Sequence, residues 1–238
     1  VCGRYTLATP ADELIEAFDV ETLHFDLLPR YNIAPGQDAP VVAEDSRGRR
    51  IGLLRWGFVP AWRDDPGSGI VNARSETVAR KPSFREAFSR RRCLVPADGF
   101  YEWKRRTTDF GPGSGGAVRQ PYWIHPVDGG VVSFAAIWET WRGPGAEPRT
   151  TFAILTTDAN EDVRPIHDRM PLIVSLEDRD AWLDRATSPE RLNRMLHPAP
   201  NGALRAWPVS TRVNRVGEDD PELIQPVEGD QGPPLQGR

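Results

Sequence analysis

The sequence predicts an α+β fold: a single domain with a mostly antiparallel, barrel-like sheet at its core and helices at the periphery. Two observations carry that prediction. Runs of β-branched and aromatic residues dominate, the strongest being GVVSFAAIWETW and RTTFAILTTDA. The helical patterns are scattered and never alternate with strands in the βαβ manner, so a doubly wound parallel sheet is not expected.

Taken in order, RYTL near the start is strand-like. TPADELIEAFDV reads as a helix capped by Thr9, with Pro10 in its first turn and Leu14, Ile15 and Phe18 on one face. YNIAPGQ is a turn-rich connection. PVVAE and RIGLLRWGFVPAW are strands, followed by the Asp/Pro/Gly loop RDDPGSG. In SFREAF, Ser83 precedes Glu86 by three residues, a capping box at a short helix. CLVPADGFYEWK holds two strand-like runs about an Asp98-Gly99 turn, and TTDFGPGSGGAV is a Gly-rich hairpin loop. SLEDRDAWLDR and SPERLNRML each begin a helix at a serine, the second with Pro189 in its first turn, and ALRAWPVSTRVN contains a last strand. The domain is expected to span 1–217. Residues 218–238 form an acidic, Pro/Gly-rich tail whose end is expected to be disordered.

The 238 residues carry 39% hydrophobic and 27% charged side chains, ordinary for a globular protein with a real core. No apolar run reaches membrane-spanning length and no secretory leader pattern occurs. Two cysteines without a CxxC spacing give neither a disulfide framework nor a zinc site, which suits a reducing cytoplasm. A net charge of −4 argues against a protein coated in nucleic acid, but the charges are segregated. Arg80 to Arg92 and Lys104 to Arg106 are basic, while Glu218 to Asp230 is acidic, so a basic face remains open. Lys81 and Lys104 are the only lysines, and the abundant arginines suit phosphate forks.

Several residues could carry chemistry. Val1 stands where an initiator methionine is expected, as a GUG start codon would print it. Removal of that residue would leave Cys2 as a 1,2-aminothiol, whose amine condenses with an aldehyde and whose sulfur then closes a thiazolidine ring. An α-amine of ordinary pKa, about 7.7–8.0, is partly neutral near pH 7. A cysteine in a frayed terminus is the plain alternative. VNARSET groups Asn72, Arg74 and Ser75, which suit phosphate or sugar, or else simple helix capping. Glu102 alternates with Tyr101 and Trp103 in a strand; on a buried face its carboxyl would suit acid/base work, and on a solvated face it would be inert. His167, flanked by Asp168 and Arg169, lies in a turn and is a candidate proton shuttle or hydrogen-bond donor, or merely a surface histidine. His24, His125 and His197 lack such neighbours, and no histidine pair has metal-ligand spacing, so no metal is expected. Trp62, followed by Arg63, could stack on a base. Cys93 reads as a buried core thiol.

Together, CGRY at Cys2, YNIAPGQ at Tyr31, WGFVPAW at Trp56, NARSET at Asn72, CLVPADGFYEW at Cys93, TTDAN at Thr156, IHDRMP at Ile166 and PVSTRVN at Pro208 resemble the SRAP (SOS response-associated peptidase) family. Those pieces run in one order through nearly the whole chain. The resemblance implies a sensor of abasic sites in single-stranded DNA that links to the opened sugar through Cys2 and removes its own first residue. By the same resemblance Asn72 would hold the opened deoxyribose, Glu102 would serve as acid/base and His167 would assist proton transfer at the sugar or its phosphate. Arg4 and Arg74 would contact phosphates with Ser75 alongside, and Trp62 would shape the DNA path. The implied protein is a cytoplasmic monomer, nucleoid-associated when on DNA, whose partner is abasic single-stranded DNA; it needs no cofactor and touches no membrane. Two other readings stay open: an N-terminal-nucleophile amidohydrolase, which also uses a first-residue cysteine, and a non-catalytic single-stranded DNA-binding module.

Overall fold

A computed structural model of the chain describes residues 2–46, 48–106, 118–143 and 145–227. In chain order its elements are β1 (Tyr5–Leu7), α1 (Ala11–Phe18), β2 (Arg30–Ile33), β3 (Asp38–Asp45), β4 (Gly48–Trp56), β5 (Asn72–Arg74), α2 (Ser75–Val78), α3 (Arg85–Arg90), β6 (Arg92–Ala97), β7 (Gly99–Arg106), β8 (Val118–Pro126), β9 (Val132–Trp141), β10 (Arg149–Asp158), β11 (Arg169–Pro171), β12 (Ile173–Val174), α4 (Arg179–Leu183), α5 (Pro189–Arg194) and β13 (Leu204–Pro208).

Five strands close on themselves. β4 pairs with β3, β3 with β6, β6 with β9 and β9 with β10, all antiparallel, and β10 returns to β4 in parallel. The closed ring leaves no free edge among those five strands and puts their apolar faces inside. Trp56, Phe134 and Phe152 are fully buried there with Tyr5, whose ring meets Trp56 edge-on at 5.3 Å. Each such aromatic contributes on the order of 1.5–3 kcal/mol by burial. The expected barrel-like, mostly antiparallel α+β core is therefore present.

β10 is long enough to take two partners along the same edge. Its residues 151–152 pair with the end of β4, and Ile154, Leu155 and Thr156 pair with Asn72, Ala73 and Arg74 of β5. The chain between β4 and β5 thus leaves the barrel wall and comes back to it. A bridge between Phe58 and Ile70 closes the neck of this excursion. At the neck, a Cβ on Gly69 (φ +73°) would lie 2.2 Å from the Gly57 carbonyl oxygen, so only glycine fits.

A second sheet runs β13-β8-β7-β1-β2. Tyr5 pairs with Phe100, and the Tyr101 N–H donates to the Arg4 carbonyl at 3.0 Å. Continuing that antiparallel register outward lays residues 2 and 3 beside Glu102. The outer face of this sheet packs Tyr101, Trp123, Trp207, Val209, Val213 and Leu223 into a smaller cluster.

Some local expectations are corrected. α1 starts at Ala11 with Pro10 as its cap, because the Thr9 hydroxyl donates to Asp98 instead. α3 starts at Arg85 with no side-chain cap; the Lys81 carbonyl accepts from both Phe84 and Arg85 at 2.9 Å, so a preceding turn replaces the capping box. The strand expected through RIGLLRWGFVPAW ends at Trp56, where Gly57 turns at φ +142°. YNIAPGQ begins inside strand β2, and IHDRMP runs into strand β11. Ser188 caps α5 with Pro189 following, as expected. Within the acidic segment Leu223 is buried, and Asp219 accepts from the Tyr31 and Asn32 N–H groups. The Gly-rich loop over 107–117, residue 1 and the tail beyond 227 lie outside the described residues.

Candidate active site

Four residues from distant parts of the chain meet at the rim where the two sheets approach. Cys2 precedes β1 and is fully buried. Its backbone N–H donates to Glu102 Oε1 at 2.5 Å, and Asn72 Nδ2 donates to its carbonyl at 3.2 Å. Pairing of β5 with β10 sets Asn72 in place, and pairing of β1 with β7 sets Cys2 against Glu102. Cys2 has φ +24°, a strained value for a non-glycine residue that these two hydrogen bonds hold. Burial, and then the charge of Glu102, push the Cys2 thiol well above its usual range, so it sits as a neutral thiol.

Glu102 is only 2% exposed. Burial raises its carboxyl, while His167 and the Cys2 and Trp103 N–H groups pull the other way. His167 Nε2 lies 3.8 Å from Glu102 Oε2. On the opposite edge of the ring, Nδ1 accepts the Arg169 N–H at 3.0 Å, with exposed Asp168 Oδ1 at 2.9 Å. These contacts turn the ring so that Nε2 faces Glu102. The carboxyl thus has a nitrogen on one oxygen and a proton carrier near the other.

Around this centre, Arg74 is exposed at the end of β5 and has no ion pair among the described residues. Ser75 opens α2, buried, and its hydroxyl has no hydrogen-bond partner among the described residues. Trp62, in the excursion between β4 and β5, is 69% exposed. Arg4 is the expected phosphate contact that the fold engages internally: Nη1 donates to Asn32 Oδ1 at 2.9 Å and the Val213 carbonyl at 2.6 Å. Cys93 is buried in the barrel wall.

Sequence reasoning noted Arg169 only as a neighbour of His167 and missed what it holds together. Its guanidinium binds Glu76 at 2.6 and 3.0 Å, Asp158 at 2.7 Å and the Thr156 carbonyl at 2.7 Å, so it fastens α2 to β10. Its own N–H orients the His167 ring. The only available signal was its place in the RMP run after His167-Asp168. Among the described residues no group of three His, Cys, Asp or Glu could hold a metal ion, and no helix is long and apolar enough to cross a membrane.

Comparison with known proteins gives a consistent result. Residues 1–216 match the family model "SOS response associated peptidase (SRAP)". The abasic site processing protein YoqW of Bacillus subtilis is 37% identical over 230 residues, 94% of this chain and 99% of that protein. The abasic site processing protein YedK of Escherichia coli is 33% identical over 239 residues, 95% of this chain and 100% of that protein. A solved phage-related protein from Bordetella bronchiseptica superposes with a TM-score of 0.70 at 30% identity, covering 88% of this chain and 95% of that one.

Proposed function

This chain belongs to the SOS response associated peptidase (SRAP) family, and from that premise we propose that the protein captures abasic sites in single-stranded DNA as a covalent thiazolidine on Cys2. The observation that carries the reading is the 2.5 Å contact between the Cys2 nitrogen and the buried Glu102 carboxyl. A nitrogen nucleophile, a thiol on the same residue and a proton donor occupy one pocket.

Before capture, residue 1 must leave. Water adds to the residue 1 carbonyl carbon, the 1–2 C–N bond breaks, and Glu102, which lies against the 1–2 peptide nitrogen, protonates it as the departing amine while residue 1 leaves as the free acid; the strain at Cys2 favours scission. The freed α-amine then meets the abasic sugar. An abasic site is mostly a closed hemiacetal. Protonated Glu102 donates to the ring oxygen, and the C1′ aldehyde opens. The amine adds to C1′, the carbinolamine loses water, and an imine remains. The Cys2 S–H then adds across the C=N bond: sulfur bonds C1′ and the proton goes to nitrogen. Left as an imine, the adduct would permit β-elimination and strand cleavage; ring closure by sulfur prevents it and shields the strand. Placing amine and thiol on one residue makes the second step intramolecular, which supplies much of the acceleration. Asn72 fixes Cys2 through its carbonyl, and His167 returns the proton that Glu102 gives up.

Incubation with an oligonucleotide containing one abasic site, followed by a denaturing gel, tests this. The parent should give a heat-stable adduct, and Cys2→Ala should give none without borohydride trapping. A stable adduct on Cys2→Ala, or ammonia release from glutamine by the parent with no adduct, would overturn the reading.

A further inference from the structure

We propose that Trp141 is a positioning residue for single-strand binding: its buried indole holds the turn that presents Trp62, so that the exposed ring is set for base stacking before DNA arrives. The proposal rests on reading Trp62 as part of the DNA path. Trp141 ends β9, and its Nε1–H donates to the Arg63 carbonyl at 2.7 Å, a partner 78 positions away in sequence. Trp141 is buried, whereas Trp62, the residue just before that carbonyl's own, is exposed.

The turn is a tight one. The Arg63 N–H donates to the Pro60 carbonyl at 3.1 Å, which puts Ala61 and Trp62 at its two central positions. Ala61, Trp62, Asp64 and Asp65 are all exposed, so burial does little to fix them. The neck behind the turn is well fastened. The Gly57 N–H donates to the Phe152 carbonyl and the Val59 N–H to the buried Thr151 hydroxyl, each at 2.9 Å, and Phe58 bridges to Ile70. Beyond that neck, among the described residues, the Trp141 contact is the one hydrogen bond that ties residues 61–68 to anything outside the excursion.

The indole is seated for that bond. A buried indole N–H needs an acceptor, and this acceptor belongs to an exposed turn rather than to the core. The chain after β9 makes room for the ring: a Cβ on Gly143 would lie 2.0 Å from Trp141 Cζ2, so any larger residue there would push the ring aside. What the indole adds over a plain aromatic ring is its N–H, and the N–H goes to the turn. A turn fixed beforehand needs less ordering when DNA binds, so more of the stacking energy appears as affinity. Trp141 itself touches no reacting atom; it acts through Trp62.

The test uses the full chain, its Trp141→Phe, Trp62→Ala and double variants, and a lesion-free oligothymidylate, so the result does not depend on chemistry at Cys2. Affinities are measured by fluorescence anisotropy. Trp141→Phe keeps a ring and loses the N–H; it should weaken binding by about 5- to 30-fold, the equivalent of about 1–2 kcal/mol for ordering one residue at about 1.4 kcal/mol per decade. In the Trp62→Ala background the same change should cost less than about twofold, because no ring is left to position. The salt slope should stay at the parent's value, since no phosphate contact is lost. Hydrogen–deuterium exchange should rise over residues 57–70 and not in β6 or β10. Gly143→Ala, which keeps the indole but displaces it, carries the same predictions and the same refutations. Parental affinity in Trp141→Phe, with a loss in Trp62→Ala, overturns the proposal and leaves Trp62 in the DNA path. Parental affinity in Trp62→Ala removes Trp62 from that path and the proposal with it. Losses that multiply in the double variant, or exchange that rises throughout the barrel, mark a general structural role and overturn it as well.

Discussion

Replacing Glu102 by Gln keeps the side chain's shape and leaves a carbonyl oxygen for the Cys2 N–H, but removes its ability to give or take a proton. The native carboxyl is 2% exposed, touches the Cys2 nitrogen at 2.5 Å and has its pKa raised, chiefly by burial. A raised pKa keeps part of the protein protonated closer to neutrality, in the form that can open the hemiacetal. Positioned acid–base catalysis is worth about 10²–10⁴ in rate, or roughly 3–5 kcal/mol at about 1.36 kcal/mol per decade. Single-turnover capture of an end-labelled abasic oligonucleotide, quenched at intervals and resolved on denaturing gels across pH, reads this out. The parent's rate should rise as the amine loses its proton and fall as Glu102 loses its own. The variant should be slower by that factor and lack the alkaline limb. Stability moves the other way while residue 1 is attached and the Cys2 nitrogen is an amide. A carboxyl whose folded pKa lies above its unfolded value opposes folding once pH passes the unfolded pKa, and does so fully above the folded one. The glutamine variant should therefore match the parent at acidic pH and become the more stable protein as pH rises, by about 1.4 kcal/mol for each unit of native elevation. A capture rate equal to the parent's, with the same alkaline limb, would remove Glu102 from the chemistry.

Other substitutions separate binding from architecture. Arg74→Ala removes an exposed cation without an ion pair and should lower the salt slope of single-strand binding by about 0.7 with no change in melting temperature. Trp62→Ala should weaken binding by about 1–3 kcal/mol if the 69%-exposed ring stacks on a base; unchanged affinity would leave Trp62 outside the DNA path. Arg169→Met should cost about 1.5–3 kcal/mol in denaturant unfolding, since it breaks ionic hydrogen bonds between α2 and β10. Glu76, whose carboxyl Arg169 holds below its usual range through a side-chain hydrogen bond, contributes stability above its unfolded pKa that is lost as pH falls through its folded pKa; the variant should lose that acid-side dependence. Gly69→Ala should destabilise by more than about 2 kcal/mol, because its Cβ meets backbone and its φ is +73°.

The strands were legible where β-branched and aromatic residues run unbroken, as in β9 and β10. What local pattern could not supply is closure: the parallel contact between β4 and β10 joins residues nearly a hundred positions apart and leaves no mark on either segment alone. The site divides in the same way. Cys2, Asn72, Glu102 and His167 are each suggested by residue type, and the family resemblance groups them. The burial of Glu102, however, depends on β1 aligning the N-terminal residues beside β7. Alternation along the strand left both faces possible. Thr9 illustrates the reverse case, a good capping residue drawn away by Asp98, whose carboxylate also accepts from the Ala8 N–H. Arg4 carries the right charge beside Cys2, but part of its guanidinium goes to Asn32 and the carbonyl of Val213, partners far away in sequence.

The most direct test weighs the adduct itself. Intact-mass spectrometry of the protein after reaction with a short abasic oligonucleotide should give the mass of a chain beginning at Cys2 plus the oligonucleotide less one water, stable to heating. An adduct of equal stability on a chain that still carries a residue or an acyl group ahead of Cys2 would contradict capture by a free aminothiol.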